Sequence, residues 1–421
     1  MKKSCYQCLL FSPFCKWVPA SLALMLSWNT FPIAHAQTFK ELEQQLLDHP
    51  SIVALRFSET ASRESAAANI GLPDPVISVG VNNVPLQDPA FDRFLPTHKA
   101  IGVRQSLPNF AERRALSSAN ERRASLQKLQ AEWQFVTLRA KLISLLATQT
   151  ALSEQLSILA ARDIKYNELE EVIRSEIDAG RPAVFRIADI DIERADSARE
   201  KAAILASQIE VSAGIEELVL MAAKTPAPET ALALWDGQAT RFYAVRLADQ
   251  NIDISEAGVS AAKAAFRPDW GVSLTYQQRE EGSGAPGSTF AGDDWFSASV
   301  SVTVPIWSRQ NQQPKLRAAK ANANARRQQS EVAARAALAE WRVLSAKIEA
   351  SNDFQKILRE KISALDSRIE ALTSNYEAGL GDYSTILDTE ITQLKFQSDL
   401  ATERARQVSL TARANSLLVT P

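Results

Sequence analysis

Between Lys315 and Ala378 the apolar residues fall in two interleaved ladders, each with a seven-residue step, and the stretch contains neither Gly nor Pro. One ladder runs Leu344, Leu358, Leu365 and Leu372, with Ser351 in the series. The other runs Ile348, Ile362, Ile369 and Tyr376, with Gln355 in the series. Together they make the 3-4 stripe of a coiled-coil seam and predict one long helix. At about 1.5 Å per residue it is about 95 Å long, about three times the hydrocarbon core of a bilayer. Arg326, Arg327, Glu331 and Glu340 lie along it and exclude a membrane span. It is a rod in water that needs partner helices. Glu112 to Ala179 has the same character, with an unbroken ladder Leu138, Leu145, Leu152, Leu159, Tyr166, Ile173. Both rods end at a glycine, Gly180 and Gly379, as helix termini prefer. A returning helix is expected after each, to about Ala223 and about Leu418.

Ahead of each rod the period changes from helical to alternating. Ile77, Val79 and Val81 stand between Ser78, Gly80 and Asn82, and Ile101, Val103 and Leu107 alternate with Gly102, Arg104 and Ser106. The second half is cleaner: Trp270, Val272, Leu274 and Tyr276, then Phe296, Ala298, Val300, Val302 and Val304, with Gly, Ser and Thr between them. Strands are expected near 75–84, 98–108, 268–278 and 295–305. About ten residues, apolar on one side and small or polar on the other, suits a membrane-barrel strand, and an ordinary half-buried hairpin has the same period. Aromatics near the ends of the apolar face, a small hydroxylated opposite face and a Gly-, Ser- and charge-rich tip from Gln278 to Asp294 favour the barrel. Its lipid-facing candidates are Trp270, Val272, Leu274, Tyr276, Phe296, Val300 and Val302. Four strands cannot close a barrel, which takes about eight, so several copies must share one. Two chains give eight strands and three give twelve. The pattern does not choose, although eight-stranded barrels usually have filled interiors.

Landmarks of the first half return in order in the second. Leu72-Pro73-Asp74 recurs as Arg267-Pro268-Asp269, Ser106-Leu107-Pro108 as Thr303-Val304-Pro305, and Ile177-Asp178-Ala179-Gly180 as Tyr376-Glu377-Ala378-Gly379. The offset stays between about 195 and 199 residues, too long for a solenoid and right for a fused tandem. The expected units are 37–222 and 239–421, joined by a linker at 223–238. Residues 1–36 read as a cleaved secretory signal: Lys2, Lys3 and Lys16, a short apolar run from Val18 to Trp28, and Ala34-His35-Ala36. A membrane anchor is the alternative, but the run is shorter than the roughly 20 residues a span needs. All three cysteines, Cys5, Cys8 and Cys15, lie in that segment, so the chain after it has neither disulfide nor thiolate metal site, and Gln37 offers no Cys for an N-terminal lipid.

The formal charge of −2 becomes about −5 without the three signal lysines, which gives no reason to invoke nucleic acid. There is no phosphate loop, zinc-protease helix or nucleophile elbow, so no enzyme, cofactor or metal site is expected. His49 and His98 have no nucleophile pattern around them. Glu280, Glu281, Asp293 and Asp294 lack the oxygen spacing of a calcium loop.

The tandem halves, Gln105-Ser106-Leu107-Pro108, Val302-Thr303-Val304-Pro305, and Tyr376-x-x-Gly379 leading to Leu387-Asp388 make the chain resemble the TolC-type outer-membrane efflux proteins from about Thr38 to about Leu418. Pro73-Asp74-Pro75, Val81-Asn82-Asn83-Val84-Pro85 and Gly102-Val103-Arg104-Gln105 look most like the heavy-metal branch. The resemblance implies a mainly α fold with a membrane β part. In it, tandem coiled-coil hairpins and four strands per chain assemble as a homotrimer with a twelve-stranded barrel in outer-membrane lipid and a helical periplasmic tunnel. It also implies a periplasmic adaptor, an inner-membrane pump of the RND type, and passive export of heavy-metal cations from a Gram-negative cell. The same conduit could serve organic drugs or type I secretion.

Carried over by position, Tyr376 matches a tyrosine of the family's periplasmic constriction and Asp388 an aspartate ring. Asp178, Arg181 and Asp189 hold the equivalent places in the first half and could pair across the turns. Gly381 and Thr385 depart from the family, standing where an arginine and a second aspartate can occur. Seam packing would equally account for Tyr376, and a first-turn acid complementing the helix dipole for Asp388. The competing reading of the whole chain is a periplasmic coiled-coil scaffold or adaptor that never enters a membrane.

Overall fold

The computed structural model describes residues 38–419, apart from 88, 93, 95, 183, 284–288 and 291. The expected signal and Gln37 lie outside the described residues. In chain order the elements are α1 (Phe39–Leu46), α2 (Pro50–Ile70), β1 (Val76–Asn82), β2 (His98–Leu107), α3 (Phe110–Asp178) and α4 (Val184–Val219). After an extended segment and a single 3-10 turn come α5 (Tyr243–Ala264), β3 (Asp269–Gln278), β4 (Gly282–Ser283), β5 (Thr289–Phe290), β6 (Trp295–Thr303), α6 (Gln312–Glu377) and α7 (Tyr383–Leu417). The fold is mainly helical, with one four-stranded antiparallel sheet.

The two rods, α3 with 69 residues and α6 with 66, are each about 100 Å long. Pro50 opens α2 at its first position and Pro314 lies in the first turn of α6, where no intrahelical donor is lost. Near the sheet the helices lie side by side in the order α2, α3, α5, α6, and beyond it in the order α4, α3, α7, α6. The seven-residue ladder of α3 is the reason they hold: Leu138, Leu152, Leu159, Tyr166 and Ile173 are buried, and Leu145 packs on the same core. In α6, Leu344, Ile348, Ser351 and Gln355 are buried, but Leu358, Ile362, Leu365, Ile369 and Leu372 are only half-buried. Along that stretch α7 is the one helix packed on α6. Among the described residues no helix is long and apolar enough to cross a membrane.

Both rods stop the same way. Gly180 and Gly379 take φ of +83° and +74°, a left-handed conformation that favours glycine. The amides of Gly180 and Arg181 bond back to the carbonyls of Ile177 and Glu176, and those of Gly379 and Leu380 to Tyr376 and Asn375. These paired bonds satisfy carbonyls that the helix end would otherwise orphan.

The sheet order is β1-β2-β3-β6, all antiparallel. The sequence led us to expect only an exposed loop from Gln278 to Asp294. Instead a separate two-stranded ribbon forms there, with Gly282 opposite Phe290 and Ser283 opposite Thr289. Strands β3 and β6 leave the sheet already antiparallel, so further rungs form before the chain turns. The segment after α4 is extended and clamped by Asn415, whose side chain bonds the Ala233 amide and the Ala231 carbonyl, each at 2.8 Å. Trp235 closes it down over Phe242 and Trp341, at ring distances of 5.5 and 6.3 Å.

Candidate functional site

Two regions carry the candidate residues, the sheet and the turns at the far ends of the rods. In the sheet, register brings the apolar positions onto one face. Trp270 lies opposite Val302, Val272 opposite Val300, Leu274 opposite Ala298, and Tyr276 opposite Phe296. The seven lipid-facing candidates therefore share one surface. Strands β1 and β2 extend it with Ile77, Val79, Ile101 and Val103, which sequence reasoning noted as alternating without placing them here. All are exposed or half-exposed: Phe296 keeps 69% of its surface, Val300 67% and Val79 78%. A contiguous apolar face of this size, about 20 Å along the strands, is not left to water by a stable soluble protein.

Polar groups on this face stand only toward its ends. Gln105 donates to the carbonyls of Pro73 and Ser106, at 2.8 and 2.9 Å, and Lys99 pairs with Glu280 at 2.8 Å. The Tyr276 hydroxyl donates to Asp294. The opposite face is small and hydroxylated: Ser273 and Ser299 bond each other at 2.7 Å, and Gly102 and Gly271 leave room for Ser78 and Ser301.

At the far end, α3–α4 and α6–α7 present their turns side by side. Arg181, just past the first rod, reaches Asp382 of the second turn at 3.1 Å and its own Glu176 at 3.6 Å. Arg186 in the first turn of α4 pairs with Asp388 at 2.7 Å and donates to Ser384 Oγ at 3.0 Å. Tyr376 remains about half exposed, with its ring 5.3 Å from that of Tyr383. Behind them Leu169, Ile173, Ile190, Leu387 and Ile391 join α3, α4 and α7 in a common apolar cluster. Further along, Lys395 of α7 donates to Glu193 of α4 at 2.8 Å, and the Tyr166 hydroxyl donates to the same carboxylate.

The electrostatics of these two clasps differ. Burial lifts the Asp388 carboxyl above the usual range, and Arg186 only partly opposes it. Lys395 chiefly holds Glu193 below the usual range, against burial. The first clasp therefore gives way to protons sooner than the second.

The structure thus brings Arg181 and Asp388 into clasps, but with partners the sequence had not named. Asp178 and Asp189 are exposed and form no ion pair among the described residues. The missed residues are Arg186, Asp382, Tyr383 and Ser384. The duplication itself hides Arg186, because the repeat offset aligns Asp388 with Asp189. Opposite charges at the starts of two equivalent helices were the available signal.

With this geometry in place, comparison with known proteins gives consistent results. Residues 242–416 match the family model described as outer membrane efflux protein. No curated relative matches the chain by sequence. Among solved structures, CusC, described in connection with folding and transmembrane channel formation, superposes with a TM-score of 0.73 at 16% identity, covering 91% of this chain and 92% of that one. The outer membrane protein VceC of Vibrio cholerae gives 0.68 at 15%, covering 90% and 95%, and the open-state MtrE outer membrane channel of Neisseria gonorrhoeae gives 0.67 at 16%, covering 90% and 88%. At such identities the likeness establishes a shared fold. Through residues 242–416 the chain is similar to the outer membrane efflux protein family.

Proposed function

We propose that three copies pool their sheets into one twelve-stranded outer-membrane barrel, continued by a helical tunnel through the periplasm. The trimer is a passive conduit, without catalysis, from a periplasmic adaptor and an RND-type inner-membrane pump to the outside. The observation that carries this reading is the pair of open sheet edges. Strands β1 and β6 each pair on one side only. They run in opposite directions, so β6 of one copy meets β1 of the next in antiparallel sense. Lipid tolerates no unpaired edge.

The small inward face supports three copies over two. Eight strands enclose only enough space for side chains to fill, and Gly102, Gly271, Ser273 and Ser299, around Arg104 as the single large residue in their rows, are too small to fill it. The edge helices offer further contacts: Phe185, Ile192, Leu205 and Ile209 are exposed on α4, and Val332, Val343 and Phe354 on α6. The element order helix, strand, strand, rod, returning helix occurs in both halves. It supports reading 37–222 and 239–421 as fused duplicates joined at 223–238, behind a cleaved signal at 1–36.

The turns serve as the gate, with Tyr376 and Asp388 toward the pore and Asp178 and Asp189 as neighbouring acids. Arg181–Asp382 and Arg186–Asp388 tie the two hairpins of one copy together. An exposed pair contributes about 0–1 kcal/mol, so six pairs in a trimer contribute a few kcal/mol. That suffices to favour a closed population and is small enough for a docking partner to reverse. The heavy-metal branch remains the proposed duty on the motifs around Pro73, Val81 and Gly102. Among the described residues no group of His, Cys, Asp or Glu could hold a metal, so pump and adaptor would choose the cargo.

Fractionating cells tests the reading. A heat-sensitive oligomer in the outer-membrane fraction is expected. Recovery of a folded monomer in the periplasm without detergent would replace the conduit by the scaffold.

A further inference from the structure

The inward face of the sheet has its own charge pattern. Register places Arg104 in the row Val76, Arg104, Ser273, Ser299. Its parity is that of Gly102 and Ser106, opposite to the apolar Val103. The side chain is exposed and makes no hydrogen bond or ion pair among the described residues. No carboxylate on this face stands near it. The one inward acid, Asp269, lies at the base of β3, where its Oδ1 accepts the Asn109 amide at 2.8 Å.

A second cation stands at the other end of the same face. Trp295 shares the inward parity of Ser297 and Ser299, and the Arg279 guanidinium lies 3.5 Å from its ring centre. The nearby carboxylates are engaged elsewhere or lie beyond the strands. Glu280 pairs with Lys99 on the outer face, Asp294 takes the Tyr276 hydroxyl and the Arg279 backbone amide, and Glu281 and Asp293 sit in the hairpin tip.

We infer that Arg104 makes the barrel's inner wall an anion-concentrating ring, a selectivity device distinct from the periplasmic turns. This deepens the conduit reading and rests on it, because the ring exists only when three copies close one wall. Twelve strands about 4.8 Å apart and tilted about 40° give a backbone radius of about 12 Å, so an inward arginine carries its charge to about 6 Å from the axis. The Debye length at physiological ionic strength is about 8 Å, so a solute on the axis lies within reach of all three guanidinium groups. Stacking on Trp295 keeps the charge of Arg279 in place at the mouth. The wall therefore enriches small anions and resists free divalent cations in either direction. It suits anionic or neutral cargo, including a metal carried as an anionic complex, and it opposes re-entry of bare cations from outside.

The test uses the purified full-length protein in planar bilayers under a KCl gradient, with the anion-to-cation permeability ratio as readout. A wall potential of about one kT, the low end for charged clefts, predicts that Arg104→Gln lowers the ratio about threefold or more, while Arg104→Lys keeps it. Inorganic triphosphate added on the outer side should block the unaltered pore and lose that block in Arg104→Gln. Ser299→Glu, which leaves Arg104 in place and adds a carboxylate to the same row, should also lower the ratio. It covers the case in which Arg104→Gln does not assemble. Unchanged ratio and unchanged triphosphate block in the variants would overturn the ring alone. An unaltered protein that assembles no conducting pore would overturn the conduit and the ring together.

Discussion

The two ends of the molecule are held by different physics. At the sheet the polar groups stand toward the ends of the band, and what is left open is an apolar face and two rows of unpaired backbone. Lipid and neighbouring copies can satisfy both, and once satisfied they are costly to expose. At the turns the exposed contacts are ion pairs, Arg181–Asp382 and Arg186–Asp388, over a small apolar cluster. Each pair is cheap to break in water. On the proposed reading the difference separates a permanent end from a movable one, a wall fixed by burial and a tip latched by charge.

The comparison is broken most severely at the wall. Val300→Arg puts a charge on the proposed lipid face at about 2–4 kcal/mol per copy, three times over in the proposed trimer. The expected outcome is loss of the heat-sensitive oligomer on gels. Ser299→Arg, one residue away on the inward face, should keep it. Equal loss in both variants would deny that the two faces differ. A smaller effect is expected between the two ends. Ile173 is fully buried in the seam, and Ile173→Ala should cost about 2–5 kcal/mol through lost contact and a residual cavity. A matching fall in thermal midpoint, with the oligomer still formed, would place that residue in the body rather than the wall.

At the latch the energies are smaller still. Arg186→Ala and Asp388→Ala should each raise the resting conductance of reconstituted pores, by about two- to fivefold for about 0.5–1 kcal/mol. The double variant should do no more than either single one, since they remove the same contact. Asp388→Ala should also weaken block by divalent cations. Full additivity, with cation block unchanged, would remove Asp388 from the gate.

Acid sharpens the distinction further. Burial raises the folded pKa of Asp388, so as pH falls it becomes neutral before an ordinary carboxylate would and releases Arg186. The folded pKa of Glu193 is depressed, so its pair with Lys395 is present above the unfolded pKa and is lost only at lower pH. Conductance should therefore rise on mild acidification. The rise should vanish in Asp388→Ala and persist in Glu193→Gln.

Much of this was legible in the chain because it is periodic. Leu138 to Ile173 keep a strict seven-residue step, and Trp270 to Tyr276 and Phe296 to Val302 keep a strict two-residue step. Those periods define which side of each element is apolar without reference to any partner. The pairing of Arg186 with Asp388 was not legible. The residues are 202 positions apart, and their meeting depends on how two helical hairpins lie beside each other. Local pattern carries no such information. The β4–β5 ribbon was hidden for a related reason: Gly282 and Ser283 have no strand preference of their own, and their pairing is inherited from the strands on either side.

The claim beneath all of this is that β6 of one copy completes the sheet at β1 of the next. Residues 37–421 contain no cysteine, so an engineered pair is unambiguous. Single cysteines walked along β6, at Ser297, Ser299 and Ser301, would be combined with Ser78→Cys on the inward face of β1 and oxidised in intact outer membranes. The account predicts that one register gives a crosslinked ladder ending at three chains, reversed by reductant, and that β2 cysteines at Gly102 give no intermolecular product with β6. A ladder ending at two chains, or monomer at every register, would contradict it.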